Sequence, residues 1–409
     1  MDRVRIGIIG AGGIFRGAHL PAYPKVAEAR IVALADVSEK SLKASLKRLR
    51  KVYEEAAETA EKNGDLERAK ELREIAGDVR LYRSYEEMLE KEEPDLVDVC
   101  TPHKFHAPAA IAALKAGCHV MVEKPMARTY LEALEIVEAV KEAGRFYQHN
   151  ENWVYLNAWY TLRKIISSGV IGELQIIYTS AAHGGPEWSE WFWDPDIGGG
   201  GSLLDMGVHS IGAVWYAVGF DAKPAVVKAT RTKGISIKIR ERRIAGIERS
   251  ISVEDDGHIL IRFERGDGSW STAHVEGSWS YRDAPEFLAA GTDGMIKVER
   301  REDGAYLVVL DSFQNPRRIR IREDWGESFT REIASMCRSV LNSRRPLLNE
   351  EIGAEISAII DAAYYSELNG RRPVTLEEFK KYVLSLREKF GNRASQKFIE
   401  MKTKHLTGY

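Results

Sequence analysis

Three side chains are of the types that could oxidise an alcohol: Lys124, Asp205 and His209. Lys124 comes soon after the apolar run 119–122, at the carboxyl end of a predicted strand. Asp205 and His209 are four residues apart, so a helix would place them on one face. An imidazole changes charge near neutral pH, and an ammonium stabilises a developing alkoxide. The same residue types also form ordinary surface lysines and structural Asp–His hydrogen bonds, and the spacing alone does not separate these readings.

A glycine-rich turn follows the first apolar run, residues 5–9. Gly10 can take the tight turn, and Gly12 lets the backbone approach a pyrophosphate at the start of the next helix. Asp36 lies 24 positions after Gly12 and ends a second predicted strand, where a carboxylate bonds ribose hydroxyls. We therefore predict a dinucleotide site that includes Gly10, Gly12, Gly13, Ile14 and Asp36.

One position departs from the pattern G-x-G-x-x-G/A. Phe15 stands where the third small residue is usual, so packing of the helix on the strand must change unless Gly13 takes over that role. Asp36 favours NAD, and Val37 follows it where an arginine could hold a 2′-phosphate. Lys40 is close enough in sequence to Asp36 that NADP remains a possible cofactor.

Composition excludes several classes of partner. The chain has 409 residues, 44% of them hydrophobic, and a formal net charge of −2, so nothing drives it generally toward nucleic acid or an anionic membrane. It has no apolar run of membrane-spanning length, and its N-terminal apolar stretch is too short for a secretory signal. Three cysteines without C-x-x-C spacing indicate a reduced compartment and no metal site. We expect a cytoplasmic protein that binds small molecules.

The elements that must position these residues alternate between strand and helix over residues 1–150, which predicts a doubly wound parallel sheet of six strands. Residues 38–77 interrupt it with two helical periodicities around a break, which predict an inserted helical hairpin. Its apolar stripe packs either on this domain or on another subunit. Thr101, Pro102 and His106 follow a strand at the edge where ligands bind, although His106 could equally cap a helix.

Residues 151–409 have a different pattern and predict an α+β domain for substrate binding and oligomerisation. Period-two alternation predicts an open, mainly antiparallel sheet, and later helical patterns end in a polar tail. The predicted strands are 174–180, 225–232, 258–264, 270–276 and 295–299, and the later helices are 329–341, 352–368 and 376–390. The basic run 238–243 is interpreted as a solvated strand or hairpin face.

Four consecutive glycines, residues 198–201, precede Asp205 and predict a mobile or closely packed loop. The aromatic run just before them could stack on the apolar face of a sugar ring, or it could be core. The candidate substrate contacts besides Lys124, Asp205 and His209 are Asn152, Tyr155, His183 and Trp193.

Together, these motifs resemble the glucose-fructose oxidoreductase, inositol dehydrogenase and MocA family. The shared features, in order, are the glycine turn, Asp36, the Thr101-Pro102…His106 segment, Glu123-Lys124-Pro125 and Asp205-x-Gly207-x-His209. The resemblance implies a Rossmann domain followed by an open sheet domain that packs into a homodimer or homotetramer. It adds Glu123 and Lys124 to the cofactor-binding residues. It also implies NAD or NADP and a sugar or cyclitol substrate, with Lys124, Asp205 and His209 around the reacting carbon.

On this reading the protein is a dehydrogenase of a secondary alcohol. Two alternatives remain within the resemblance: an NAD-dependent glycoside hydrolase that oxidises its substrate transiently, and a dinucleotide-sensing binding protein without turnover. The intact set of Lys124, Asp205 and His209 argues against the binding protein. Phe15, the 38–77 hairpin and the extended C-terminus depart from the family pattern, and they bear on packing and assembly rather than on chemistry.

Overall fold

The computed structural model describes residues 3–230, 234–281, 287–311, 315–322 and 325–408. Compact packing divides the chain into two units. The first comprises Met1–Met126, Leu134–Asn152 and Trp325–Gly353, and the second Ala127–Ala133, Trp153–Asp324 and Ala354–Tyr409. The functional division predicted between residues 150 and 151 stays a proposal. Among the described helices, none has the length and apolar character needed to span a bilayer.

The strands of the first unit are β1 (Val4–Ile9), β2 (Ala29–Ala35), β3 (Arg80–Tyr82), β4 (Leu96–Val99), β5 (His119–Glu123) and β6 (Tyr147–Asn150). Those of the second are β7 (Leu174–Ala182), β8 (Lys223–Ala229), β9 (Ile235–Ser236), β10 (Glu241–Ile244), β11 (Ile247–Ser250), β12 (Asp256–Glu264), β13 (Trp270–Ser278), β14 (Phe287–Gly291), β15 (Gly294–Arg301), β16 (Gly304–Asp311), β17 (Pro316–Ile321) and β18 (Val374–Thr375).

The helices are α1 (Leu20–Ala22), α2 (Glu39–Lys62), α3 (Leu66–Asp78), α4 (Tyr85–Glu92), α5 (His106–Lys115), α6 (Tyr130–Ala143), α7 (Asn157–Ser167), α8 (Pro195–Gly198), α9 (Ser202–Asp205), α10 (Gly207–Val218), α11 (Trp325–Leu341), α12 (Glu350–Leu368), α13 (Leu376–Phe390) and α14 (Ala394–Thr407).

The sheet of the first unit confirms the predicted parallel architecture. Its order is β3-β2-β1-β4-β5-β6, with every neighbouring pair parallel. The chain moves outward in one direction from β1 to β3 and in the other from β4 to β6. The carboxyl ends of β1 and β4 are therefore adjacent at the point where an open α/β sheet binds ligands.

The segment predicted to be a helical hairpin forms α2 and α3. Ser38 caps α2 by accepting a hydrogen bond from the Ser41 amide at 3.2 Å. The apolar stripes of both helices are buried in one core with β1 and β2, including Leu49 and Tyr53 of α2 and Leu72 of α3. The stripe therefore packs on its own unit, which is the first of the two alternatives.

Phe15 changes the start of the helix after the glycine turn, as its size required. Phe15–His19 forms a π-helical turn, followed by α1 and a 3-10 turn at Tyr23–Lys25, in place of one regular helix. The Phe15 side chain is fully buried in the core shared with β1. A wider turn accommodates a ring where a glycine would let a regular helix pack closely.

The second unit contains a ten-stranded sheet of order β17-β16-β15-β14-β7-β13-β12-β8-β18, with β9 beside β12. All pairs are antiparallel except β7 with β13, which confirms the mainly antiparallel prediction. Residues 231 and 232 of the predicted strand 225–232 lie outside the described residues. The polar tail predicted after α13 was wrong, because residues 394–407 form α14, which buries Phe398, Ile399 and Lys402.

Candidate active site and cofactor cradle

A cavity of about 500 Å³ opens where β1 and β4 end. Five residues predicted or implied as cofactor contacts line it: Gly10, Gly12, Asp36, Thr101 and Pro102. The cavity is also lined by residues that were not predicted from the sequence: Arg83, Ser84, Tyr85, Glu86, Phe105 and Ala109. Residues 83–86 could have been expected here, because β3 is parallel to β2 and must also end at this edge of the sheet.

Gly10 is required by its surroundings. Its φ is +95°, and a Cβ there would lie 2.7 Å from the Cys100 backbone and 2.8 Å from the Thr101 nitrogen. At Gly12 and Gly13, by contrast, an added methyl would have no described atom within 4 Å. The Thr101 hydroxyl is buried without a hydrogen-bond partner among the described residues. Open space above Gly12 and an unsatisfied hydroxyl beside it fit a polar ligand seated against the turn.

The Asp36 carboxylate also shapes the turn itself. One oxygen accepts a hydrogen bond from the Ala11 amide at 2.9 Å, and the other accepts one from the Ser38 amide at 2.7 Å. The carboxylate therefore joins the glycine turn to the start of α2. Each carboxylate oxygen has a second acceptor site for ribose hydroxyls.

Lys124 is half-buried at the end of β5, beside the cis Lys124–Pro125 peptide bond. Glu123 accepts a hydrogen bond from the Lys124 amide at 3.1 Å through one oxygen, and its other oxygen lies 2.6 Å from His19 Nε2. Glu123 is 6% exposed. Glu123 therefore holds the backbone at Lys124, and its two described hydrogen-bond partners are the Lys124 amide and His19.

His19 sits at the centre of a buried polar cluster that the sequence analysis missed. Its Nδ1 lies 2.8 Å from Asp98 and its Nε2 contacts Glu123. Burial lowers the pKa of the His19 imidazole, but the charges of Asp98 and Cys100 and the hydrogen bonds to them together outweigh burial. The pKa of His19 therefore lies well above its usual value. The titratable groups around His19 are Tyr23, Asp98, Cys100, Glu123 and Glu332. The sequence did contain one indication of this cluster: Asp98 is an acid inside the apolar strand β4, and a buried carboxylate needs a partner.

The raised pKa of His19 predicts a pH dependence of stability. The stabilisation by protonated His19 is fully present below about pH 6.5, the pKa of an unfolded histidine, and is lost as pH rises through the folded pKa. We expect the free energy of unfolding to fall as the pH rises above about 6.5, by up to about 1.4 kcal/mol per pH unit. His19→Gln should flatten this slope, as measured by urea denaturation at several pH values. His405→Gln, at a partly exposed histidine of the second unit, is the control, and equal slopes for His19→Gln and the unaltered chain would contradict the assignment.

His106 is the first residue of α5 and is 1% exposed. Its two ring nitrogens lie 2.7 Å from the Pro125 carbonyl and 2.8 Å from the Thr101 carbonyl. Both nitrogens are thus engaged by backbone, and the ring ties the end of β4 to the Glu123-Lys124-Pro125 segment. His106 does not cap α5, because Phe105 is the N-cap residue and His106 lies inside the helix. Its ring holds Thr101 and Pro125 in place, and its contact with the cofactor stays a prediction.

In the second unit, the four-glycine loop is closely packed. Glu254, fully buried, accepts hydrogen bonds from the amides of Gly201 at 2.9 Å and Leu203 at 3.1 Å and from the Tyr364 hydroxyl at 2.5 Å. A Cβ at Gly201 would lie 1.9 Å from the Glu254 carbonyl oxygen. Burial raises the pKa of the Glu254 carboxyl against the effect of these donors. Glu254 therefore holds the start of α9, which carries Asp205.

Asp205 and His209 do not share one continuous helix, contrary to the prediction. Asp205 ends α9, and α10 begins at Gly207. A Cβ at Gly277 of β13 would lie 2.5 Å from the Gly207 nitrogen, so glycine at position 277 permits close contact between strand and helix. Asp205 and His209 are each 5% exposed.

The two side chains are held by aromatic residues. Asp205 Oδ2 accepts a hydrogen bond from Trp279 Nε1 at 3.3 Å. The His209 ring stacks on Trp153, with centroids 5.2 Å apart and planes 14° from parallel. Stacking fixes the plane of the imidazole and leaves its edge to make hydrogen bonds.

Within the aromatic run before the glycine loop, Trp193 is buried, whereas Trp191 and Phe192 are half-buried. Trp193 is 6% exposed, packs on Trp279 with centroids 4.8 Å apart, and donates a hydrogen bond to the Pro186 carbonyl. In the basic run 238–243, predicted to be a solvated strand or hairpin face, the other residues are exposed, but Arg242 is buried and pairs with Asp255 at 2.8 Å. Cation–π contact with Trp193 explains the burial of this guanidinium.

The remaining substrate candidates occupy separate places. Asn152 is 4% exposed and donates a hydrogen bond to Ser328 Oγ at 3.0 Å within the first unit. Tyr155 and His183 are half-buried in the second unit, where His183 Nδ1 accepts a hydrogen bond from the Gly185 amide. Ile14 is 39% exposed beside the glycine turn. These assignments stay predictions, as does the meeting of Lys124 with Asp205 and His209.

Comparison with known proteins decides the family. A family model described as the oxidoreductase family with an NAD-binding Rossmann fold matches residues 4–151, and the GFO/IDH/MocA C-terminal domain matches residues 159–297. The chain belongs to the Gfo/Idh/MocA family. It is therefore an NAD-binding oxidoreductase, and the resemblance stated from its motifs is confirmed.

Several Gfo/Idh/MocA proteins are similar to this chain. D-glucoside 3-dehydrogenase of Escherichia coli (strain K12) is 28% identical over 65% of this chain and 69% of its own length. Levoglucosan dehydrogenase of Pseudarthrobacter phenanthrenivorans is 31% identical over 52% of this chain and 58% of its own length. A levoglucosan dehydrogenase structure with NADH and levoglucosan has a TM-score of 0.74 and 20% identity, covering 92% of this chain and 100% of that one, which shows the fold.

The Gfo/Idh/MocA assignment confirms the prediction of NAD as cofactor. The residues at the cavity fit that group. Gly10 and Gly12 offer close backbone approach, Thr101 offers an unsatisfied hydroxyl, and Asp36 and Tyr85 also line the cavity. When bound, NAD supplies a nicotinamide that accepts or returns a hydride.

Gly12→Ala is expected to weaken NAD binding about tenfold or more while changing the free energy of unfolding by less than about 0.5 kcal/mol. The added methyl meets open space in the protein but occupies the place a pyrophosphate needs. Calorimetric titration with NAD and urea denaturation measure the two quantities. Gly10→Ala is the matched variant, and it should lose about 1–3 kcal/mol of stability as well, because its methyl meets the Cys100 backbone. Unchanged affinity for NAD in Gly12→Ala would remove the glycine turn from the site.

Proposed function

We propose that the protein oxidises a secondary alcohol carbon on the ring of a sugar, a cyclitol or a sugar derivative, or reduces the corresponding ketone. The buried pair Asp205 and His209, held by Trp279 and Trp153 in the unit that follows the NAD-binding domain, carries this proposal. The relatives support the substrate class, since they include D-glucoside 3-dehydrogenase, levoglucosan dehydrogenase and 1,5-anhydro-D-fructose reductase.

In the proposed mechanism, His209 accepts the hydroxyl proton at one ring nitrogen. Lys124 donates a hydrogen bond to the same oxygen and stabilises the negative charge that develops there. Asp205 either orients His209 or accepts a hydrogen bond from a neighbouring hydroxyl. The burial of Asp205 and His209 supports these roles because hydrogen bonds to a developing alkoxide are stronger where water is excluded.

Asn152, Tyr155, His183 and Trp193 complete the proposed substrate contacts. Trp193 supports the site from the core through Trp279, which itself bonds Asp205. NAD rather than NADP is the proposed preference, because Asp36 places a carboxylate in the cavity where a 2′-phosphate would be repelled. Assembly into a homodimer or homotetramer is proposed from the family alone.

A substrate panel tests the proposal. Purified protein would be incubated with NAD or NADP and with glucosides, an anhydro sugar, free aldoses and inositols, and reduced cofactor would be followed by absorbance. We expect turnover with at least one ring alcohol and a preference for NAD. Release of an aglycone without net NADH would indicate the hydrolase instead, and tight NAD binding without turnover on any member would indicate the sensing protein.

A further inference from the structure

A second group of chemically reactive side chains lies on the large sheet of the second unit. Asp256 and His258 are alternate residues of β12, so their side chains project from the same face. Glu276 of β13 is paired directly with His258 in the antiparallel ladder. Because two of these side chains come from one strand and the third from its paired neighbour, the backbone of the sheet holds their polar atoms close together.

The donor atoms are spaced as metal ligands are. His258 Nε2 lies 3.3 Å from Asp256 Oδ1 and 3.9 Å from Glu276 Oε1, and all three atoms lie within 4.8 Å of one another. A tetrahedral ion with bonds of about 2.0–2.1 Å separates its ligand atoms by about 3.3 Å. One ion could therefore contact all three with small movements of the side chains.

These atoms are also unsatisfied. Asp256, His258 and Glu276 are 2%, 4% and 1% exposed, and none of the three donor atoms has a hydrogen-bond partner among the described residues. Leaving buried polar atoms unpaired is costly, and coordination would remove that cost. The His19 cluster differs, because both ring nitrogens of His19 already lie at hydrogen-bond distance from carboxylates.

The neighbouring groups leave the donor atoms available. The Tyr178 hydroxyl donates a hydrogen bond at 3.0 Å to Glu276 Oε2, and Lys238 Nζ lies 3.8 Å from Asp256 Oδ2. Each contact engages the second oxygen of its carboxylate, as groups around metal ligands commonly do.

We propose that Asp256, His258 and Glu276 bind a divalent first-row metal ion, with Zn²⁺ the best match to one imidazole and two carboxylates. Three protein ligands would leave the fourth position of a tetrahedral ion to water. A Cβ at Gly277 would approach the Gly207 nitrogen at 2.5 Å, so this residue faces α10 and its neighbour Glu276 faces the other side of the sheet. The ion would join β12 to β13 on the face away from His209.

The test uses the full chain, stripped with a chelator and desalted. Titration with Zn²⁺ by calorimetry should give one ion per chain and raise the Tm by about 5 °C at saturation. Asp256→Asn and Glu276→Gln should each lower the affinity for Zn²⁺ at least tenfold. Glu264→Gln, a surface carboxylate on the same strand, is the matched control and should bind as the unaltered chain does.

Crystals of the unaltered chain grown with Zn²⁺ provide a measurement that needs no variant. An anomalous difference peak within about 2.3 Å of His258 Nε2 and both carboxylates is the expected result. A peak elsewhere only, fewer than one ion bound per chain, or equal affinity in Asp256→Asn and Glu264→Gln would overturn the proposal. Because the readouts are metal binding and Tm, they are independent of alcohol oxidation.

Discussion

His209→Ala is expected to lower kcat by about 10²–10⁴ while NAD binding stays within about twofold of the unaltered enzyme. The reason is that the proposed proton acceptor is removed from the second unit, whereas the NAD cavity is formed by the first. Turnover with the best substrate of the panel and calorimetric titration with NAD measure the two effects. Lys124→Ala should show the same separation, because it removes the cation from the developing alkoxide.

His209 also stacks on Trp153, so its removal could lower activity through lost packing as well as through loss of the base. Chemical rescue of activity by a free base distinguishes the two effects. Added imidazole should restore part of the activity of His209→Ala, because a free base can enter the space that the side chain leaves. His209→Gln keeps much of the bulk and should stay inactive. A His209→Ala enzyme with full activity would eliminate the proposed base, and loss of activity together with loss of folding in His209→Gln would assign the residue to packing.

Gly201→Ala is expected to destabilise the protein by about 3 kcal/mol or more and to abolish turnover. Its methyl would lie 1.9 Å from the Glu254 carbonyl oxygen, which is backbone and cannot rotate away. Relief requires moving the start of α9, which Glu254 holds through the Gly201 and Leu203 amides. Urea denaturation and the dehydrogenase assay measure the loss.

Gly266→Ala is the control for this effect, because no described atom lies within 4 Å of its added methyl. It should change stability by less than about 0.5 kcal/mol. A Gly201→Ala protein as stable and as active as Gly266→Ala would show that the loop can move freely, and Glu254 would then not be what positions Asp205.

The cofactor half of the site was predictable because its chemistry depends on local backbone. Gly10, Gly12 and Asp36 occur at spacings set by one strand, one turn and the return along a parallel neighbour. Thr101 and Pro102 follow from the rule that ligands bind at the carboxyl ends of strands. Arg83 and Tyr85 lie where β3 ends and α4 begins, and they were missed because they belong to no cofactor-binding motif.

For the proposed substrate site, the sequence predicted which residue types take part but not how they are arranged. Asp205 and His209 were assigned to one helix by their spacing, whereas α9 ends at Asp205 and α10 begins at Gly207. Trp193 fitted a sugar-stacking pattern, but its burial against Trp279 was decided by β13 and the residue after it, which are distant along the chain.

By itself, the sequence determined the parallel sheet, the glycine turn, the acid that favours NAD and the residue types available for proton transfer. These follow from hydrophobic periodicity and from short spacings, which act within one or two elements. Only the tertiary structure decided that His19 joins Asp98 to Glu123, that Glu254 holds the glycine loop, and that Asp256, His258 and Glu276 converge. Burial of polar atoms forces each to find a partner, and the partner is set by the register and packing of elements distant in the chain.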